Sequence, residues 1–302
     1  MSIDSTWLRC PNCFLPLEPA DEVGRTFGCA SGHRFDRAKH GYLTLLPPRA
    51  PRTVGDDREM LEARAGLLGS GAYAPIAAAV AANVAAVGVS STAAPAAESG
   101  LSLVDFGCGT GYYSQHVAET LPVTRVLLTD RSPEAVRASL TAFRGLVPAT
   151  GVVLDIWRPL PIRDAVADAA LVVFAPRNPP EYARALRVGG VLVVVVPTTA
   201  HLAELRADAA LLEVPEGKDA DVVDRMAPHG LELTARQRVE YRLHADETTR
   251  ALLADMGPSA HHRFDAAGDD AKPDVRRTRP ESGAGATDST TVSVDVLAFT
   301  RR

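Results

Sequence analysis

The chain has 302 residues, 46% of them hydrophobic, enough for one large core and a small additional module. Its net charge of −5 lacks the overall basic excess of a nucleic-acid-binding domain, so any RNA contact has to be local. No charged N-terminal segment leads into an apolar core, and the Ala-rich run at 74–89 has too little bulk to span a bilayer; a cytoplasmic protein without membrane attachment is expected.

Three of the four cysteines fall in the first thirty residues, as Cys10-x2-Cys13 and Cys29-x3-His33 with 15 residues between the pairs. Two short turns that each present two soft or borderline ligands fit a zinc tetrahedron. Four protein ligands leave no open position, so the metal is expected to be structural. The alternative is scattered thiols and a surface His, although Pro11, Gly28 and Gly32 supply the turns that a metal knuckle needs. Replacing Cys10 by Ser is expected to release the metal and unfold residues 1 to about 50, leaving the rest of the chain able to bind a ligand. Between Gly24 and Gly55 the bases Arg25, Arg34, Arg37, Lys39, Arg49 and Arg52 face one acid, Asp36, with Phe35 and Tyr42 interleaved. This composition fits a surface that holds phosphates and stacks on unpaired bases; a solvated charged face with its aromatics packed around the metal fits as well. Residues 56–71 have the spacing of an amphipathic connecting helix, with Met60, Leu61, Arg64, Leu67 and Leu68 on one side; Tyr73 then opens the Ala-rich helix, and 90–99 is a small-residue linker.

The stretch LSLVDFGCGTGYY (101–113) reads as strand, tight turn and helix start. Glycines at 107, 109 and 111 remove the β-carbons that would keep a nucleotide-like ligand off the backbone, and the helix start offers unpaired N–H groups. Asp105, Asp130 and Asp155 close three apolar runs at intervals of 25 residues, one strand-plus-helix unit each, which places them along the carboxyl edge of a parallel sheet. Asp130 would take ribose hydroxyls. The Gly-x-Gly-x-Gly spacing with an acid just before it departs from the dinucleotide pattern and suits a cationic ligand, while a Rossmann-like domain for another nucleotide stays open. Cys108, inside the turn, reads as a small buried residue.

Residues 169–174 read as the fourth strand, and Phe174 to Arg177, where the chain leaves it, as the reacting face; Arg177 could hold a phosphate or a base. Asn178-Pro179-Pro180 invites comparison with the Asn/Asp-Pro-Pro-Tyr motif of amino-group methyltransferases, but it comes late and ends in Glu181, so the prolines are read as a helix start. The fifth strand ends at Val196, with His201 near the next helix start, where it could touch a cofactor or move a proton. Residues 265–289 read as a mobile loop, and TVSVDVLAFTRR as a last strand that completes the sheet.

LSLVDFGCGTGYY resembles motif I of the S-adenosylmethionine-dependent methyltransferases, and RALRVGGVLVVVVP resembles that family's turn into strand five. With the Cys-x2-Cys, Cys-x3-His module, HRFDRAKHGYLTLL, REMLEARAGLLGSGAY, VFAPRNPPE and MGPS, the whole resembles the 23S rRNA guanine-N1 methyltransferases, most of all their tylosin-resistance type. The resemblance implies a Rossmann-like class I methyltransferase sheet with a small N-terminal zinc-binding module. It divides the chain into residues 1–50 for zinc and RNA recognition, 51–97 as helical connector and 98–302 as methyltransferase domain. It implies zinc on Cys10, Cys13, Cys29 and His33. It also implies S-adenosylmethionine against Tyr73, Asp105, Gly107, Gly109, Thr110, Gly111, Asp130, Asp155 and His201, and 23S rRNA against Arg34, Arg37, Lys39 and Arg177. Methylation of one hairpin guanine near the peptide exit tunnel and a role in macrolide resistance follow from it, and a homodimer is compatible with it. Ala72 and His261 stand where the family has His and Trp. A small-molecule methyltransferase and a non-catalytic zinc-dependent RNA-binding protein are the competing readings.

Overall fold

The computed structural model describes residues 2–46, 55–88, 100–207, 215–256 and 288–302. The linker at 90–99, residues 265–287 of the expected loop, His261, Arg49 and Arg52 lie outside the described residues. Three short strands, β1 (Glu18–Pro19), β2 (Thr26–Gly28) and β3 (Arg34–Asp36), form a small antiparallel sheet. There follow β4 (Tyr42–Thr44), α1 (Arg58–Gly69), α2 (Ala74–Gly88), β5 (Leu101–Phe106), α3 (Tyr112–Thr120), β6 (Val123–Asp130), α4 (Pro133–Ala142) and β7 (Ala149–Val153). The C-terminal half supplies β8 (Ala167–Val173), α5 (Pro179–Ala185), β9 (Leu186–Pro197), α6 (Ala203–Ala207), α7 (Lys218–Met226), β10 (Leu231–His244), α8 (Glu247–Asp255) and β11 (Ser289–Arg301).

Local chemistry sets several of these boundaries. Asp57 caps α1 by accepting from the Met60 N–H at 2.9 Å, and Ser132 caps α4 by accepting from the Ala135 N–H, with Pro133 in the first turn. Pro179 likewise opens α5, as the sequence indicates.

The main sheet has eight strands in the order β10-β11-β9-β8-β5-β6-β7-β4. Six of them, β9 through β4, run parallel, so the ends of β5, β6, β7 and β8 share one carboxyl edge. The last strand, β11, enters between β9 and β10, antiparallel to both, and completes the sheet from within. Residues 42–44, counted with the N-terminal module from sequence, belong to this sheet: β4 pairs with β7 through Tyr42↔Gly151, Leu43↔Val152 and Thr44↔Val153. Three residues alternating half-buried, buried and exposed carry no mark of which sheet they will join.

Alternation along the strands separates two cores. On one face Leu103, Val126, Leu128 and Val195 pack with Tyr73, Ile76 and Val80 around α2, and with Val117 and Val136 of α3 and α4. On the other, Val104, Phe106, Leu127, Val152 and Leu43 of β4 meet Trp7, Leu8, Leu17 and Phe27 from the N-terminal module, with Tyr182 of α5. Residues 154–166, which connect β7 to β8, hold no helix, and the metal module covers the sheet there. Backbone ties secure it: Leu8 bridges Ile162, the Arg163 N–H donates to the Trp7 carbonyl, and Arg163 Nε donates to the Leu8 carbonyl at 2.7 Å. The Arg125 guanidinium lies 4.1 Å from the Trp7 ring centre. Among the described residues no single helix is long and apolar enough to cross a membrane.

The two cores share one sheet, so they should unfold together. Leu43→Ala, at a fully buried position, is expected to cost about 2–5 kcal/mol. Urea transitions followed by far-UV circular dichroism and by tryptophan emission should shift together; a shift in the emission alone would mean that the module unfolds separately.

Candidate functional site

Two knuckles build the metal site. The Phe14 N–H donates to the Cys10 carbonyl and the Cys10 N–H to the Leu15 carbonyl, closing the first turn; the Gly32 N–H donates to the Cys29 carbonyl in the second, with Gly32 at φ +83°. The ligand atoms of Cys10, Cys13, Cys29 and His33 lie within 4.8 Å of one another. His33 Nδ1 is 3.4 Å from Cys29 Sγ and 3.6 Å from Cys10 Sγ, and Cys13 and Cys29 Sγ are 3.6 Å apart. A zinc tetrahedron with Zn–S near 2.3 Å and Zn–N near 2.0 Å has edges of about 3.5–3.8 Å, so the donor set fits zinc in both chemistry and size. With all four positions filled by protein, this zinc is structural. Cys108 is buried far from it, its Sγ donating to Ser139 Oγ at 3.3 Å.

At the carboxyl edge of β5 the backbone takes left-handed φ values at Gly107 (+81°), Gly109 (+50°) and Gly111 (+81°). A β-carbon on Gly107 would stand 2.6 Å from Ala175 Cβ, and one on Gly111 would stand 2.9 Å from Ser139 Cβ. The turn is a cradle that only glycine can form, with Thr110 half-exposed at its tip. Asp130, at the end of β6, ties it down: its two carboxylate oxygens accept the Gly109 N–H at 3.0 Å and the Ser132 N–H at 2.9 Å. Asp105, beneath the turn, is 3% exposed. Burial pushes its carboxyl up to about 7, opposed by a hydrogen bond from Ser114 and reinforced by the Asp130 charge. Asp155 stands apart from this pair. Its carboxylate meets the Arg131 guanidinium at 2.9 Å and accepts the Trp157 N–H at 3.1 Å, so it shapes the turn after β7.

Beside the cradle, Tyr73, Tyr113, Phe174 and His201 form an aromatic group with ring centres 5.9–6.4 Å apart across its four contacts. Phe174 leaves β8 at φ +53°, a conformation costly for a bulky side chain, and stays 41% exposed. His201 is buried, and burial, with Arg206 and Lys218 nearby, lowers its pKa to about 4, so its ring is neutral. Its Nδ1 accepts the Ser293 N–H at 3.3 Å, which leaves the proton on Nε2, 3.5 Å from Tyr73 Oη.

Arg34, exposed, lies on β3, with half-buried Arg37 and exposed Lys39 in the turn to β4. Arg177 lies instead at the exit of β8, half-buried, its pKa lowered by burial and by Arg225. Asn178 turns away from the reacting face: its amide donates to the Ile156 carbonyl at 2.6 Å and the Arg158 carbonyl at 3.1 Å. Arg64, which the sequence does not single out for the site, also reaches the glycine turn. From the inner face of α1 it pairs with Asp56, donates to the Met256 carbonyl at 2.9 Å, and lies 3.2 Å from where a Gly109 β-carbon would stand. A lone arginine among Met60, Leu61, Leu67 and Leu68 is the signal that could have found it.

A family model described as the N-terminal part of RlmA matches residues 8–52, and a methyltransferase-domain model matches residues 103–190. A 23S rRNA (guanine(748)-N(1))-methyltransferase of Streptomyces fradiae is 41% identical over 85% of this chain and 86% of that protein. A Micromonospora griseorubida protein, provisionally named a 23S rRNA (guanine-N(1)-)-methyltransferase, is 40% identical over 84% of this chain and 87% of that protein. YxjB of Bacillus subtilis (strain 168), under the same provisional name, is 29% identical over 68% and 69%.

The raised Asp105 carboxyl fixes a pH dependence. Between the unfolded-chain value near 4 and about 7 the folded chain holds a proton that the unfolded chain lacks, so stability falls as pH rises through this window. Urea unfolding of the ligand-free protein should show this loss between pH 5 and pH 8, and Asp105→Asn should reduce it; equal slopes for parent and variant would contradict the assignment.

Proposed function

The chain belongs to the 23S rRNA (guanine-N1)-methyltransferase family, and from that membership we propose that it methylates N1 of one guanine in a 23S rRNA hairpin beside the peptide exit tunnel. The observation that carries the reading is the juxtaposition, at one sheet edge, of the glycine cradle, buried Asp105 beside half-buried Asp130, and the aromatic group with its exposed Phe174. When bound, S-adenosylmethionine supplies an electrophilic sulfonium methyl. The residues present fit it. The β-carbon-free cradle admits a nucleoside against the backbone, and Asp105 offers a carboxylate to the ammonium of the methionine end. Each Asp130 oxygen already accepts one N–H and keeps a lone pair for a ribose hydroxyl. Asp155, committed to Arg131 and the Trp157 N–H, shapes the neighbouring turn after β7.

Guanine N1 lies on the Watson–Crick edge, so the base reaches the site only when unpaired or turned out of its helix. The open face of Phe174 receives it by stacking, and Tyr73 with His201 fixes the floor behind that ring. The protein thus contributes alignment of N1 with the methyl group. Arg177 takes a phosphate of the target strand, and Arg34, Arg37 and Lys39 hold a more distant part of the hairpin. A ribosomal substrate places the reaction in the cytoplasm. The target guanine is taken to be the one named for the Streptomyces fradiae relative, and the resemblance to the tylosin-resistance type extends the reading to protection of the ribosome against a macrolide.

Primer extension tests the reading, because methylated N1 blocks reverse transcription. Incubation of 23S rRNA with the zinc-loaded protein and S-adenosylmethionine should create one new stop, at a hairpin guanine near the exit tunnel. No new stop anywhere, with cofactor binding intact, would overturn it.

A further inference from the structure

Of the two tryptophans, Trp7 is fully buried and Trp157 is 65% exposed, on a turn that neither the metal site nor the cofactor cradle explains. The turn is fixed with unusual care for a surface feature. The Arg158 N–H donates to the Asp155 carbonyl, the Trp157 N–H donates to the Asp155 carboxylate, and Arg131 holds that carboxylate from the other side. Asn178 then clasps the turn by donating to the carbonyls on both sides of Trp157. Because Asn178 begins α5 four residues beyond Phe174, the clasp fastens the indole to the strand exit that carries the reacting face. A large apolar ring that is exposed while its backbone is locked has given up burial and loop entropy at once, which is the pattern of a preformed stacking platform.

Its surroundings say what would stack there. Arg158 follows it with a 57% exposed side chain, and Arg177 flanks the clasp. Toward the metal module, Arg9 Nε donates to the Leu160 carbonyl, three residues on, and the Arg9 guanidinium covers the partly exposed Phe14 ring at 4.6 Å. Arg9 itself is largely buried and paired with Asp164 and Glu181, so the open cations here are Arg158 and half-buried Arg177, and with the exposed rings of Phe14, Trp157 and Phe174 they suit a single-stranded polyanion with stackable bases.

We propose that Trp157, held by Asn178, stacks on an unpaired base of the substrate rRNA close to the target guanine. The proposal rests on the RNA-methyltransferase reading above. It is tested with a 23S rRNA hairpin oligonucleotide carrying the guanine found by primer extension. Trp157 emission, taken as the difference between parent and Trp157→Ala, should be quenched on RNA addition. Trp157→Ala should weaken hairpin binding about tenfold, with S-adenosylmethionine affinity within twofold of the parent, and Trp157→Phe should restore most of the loss. Hairpin binding with unmoved Trp157 emission, or unchanged affinity in Trp157→Ala, overturns the stacking role alone; a parent that neither binds nor methylates the hairpin overturns the functional reading with it.

Discussion

The structure depends on how four ligands, Cys10, Cys13, Cys29 and His33, hold the cover over part of one face of the main sheet, beside α5 and α7. An α/β sheet of this kind needs cover on both faces, because its central strands are apolar on each side. Here the β7–β8 connection supplies no helix, and Trp7, Leu8, Leu17 and Phe27 take its place over Val104, Leu127 and Val152. Segments this short cannot hold an apolar layer by their own hydrogen bonds. The zinc tetrahedron gathers both knuckles into one rigid piece, and Cys10 and Cys29 are themselves buried in that core. The metal therefore stabilises the catalytic sheet as well as the module, and β4, paired with β7, extends the sheet from the module side.

On this frame the site is assembled from the exits of parallel strands. Asp130 holds the glycine turn against the end of β6, and α1 closes over it through Arg64, so the cradle is fixed by contacts from three parts of the chain. Two features cost stability and point toward ligands. Asp105 is a carboxylate buried beside another, and Phe174 adopts a left-handed backbone at a cost of about 1–3 kcal/mol while its ring stays open to solvent. The fold tolerates both because the surrounding packing determines those positions many times over.

Much of this was legible in the sequence for identifiable reasons. The zinc ligands and the three glycines act through spacing of a few residues, and each demands a residue type that nothing else replaces. Strand ends carrying Asp105 and Asp130 were readable because apolar runs end in an acid at a fixed interval. The parts that were not legible depend on partners far along the chain. Asn178-Pro179 is legible as a helix start, but nothing nearby in sequence shows that the Asn178 amide holds carbonyls 20 and 22 residues earlier. Asp155 matches the other two acids in rhythm but is taken up by Arg131, and the membership of β4 in the main sheet is decided by β7 more than a hundred residues later. From sequence, loss of the metal is expected to unfold residues 1 to about 50 alone, because hydropathy gives no hint that the module shares the cover of one sheet face with α5 and α7.

Zinc removal therefore separates the two pictures. The protein would be stripped of zinc with a chelator in the presence of a reductant that keeps Cys10, Cys13 and Cys29 as thiols, and S-adenosylmethionine binding measured by calorimetry beside amide exchange across β5, β6 and β7. Loss of cofactor binding together with loss of protection in those strands, both recovered when zinc is returned, is the result expected of a sheet that needs its metal-held cover. Full cofactor affinity and a protected sheet in the zinc-free protein would contradict it.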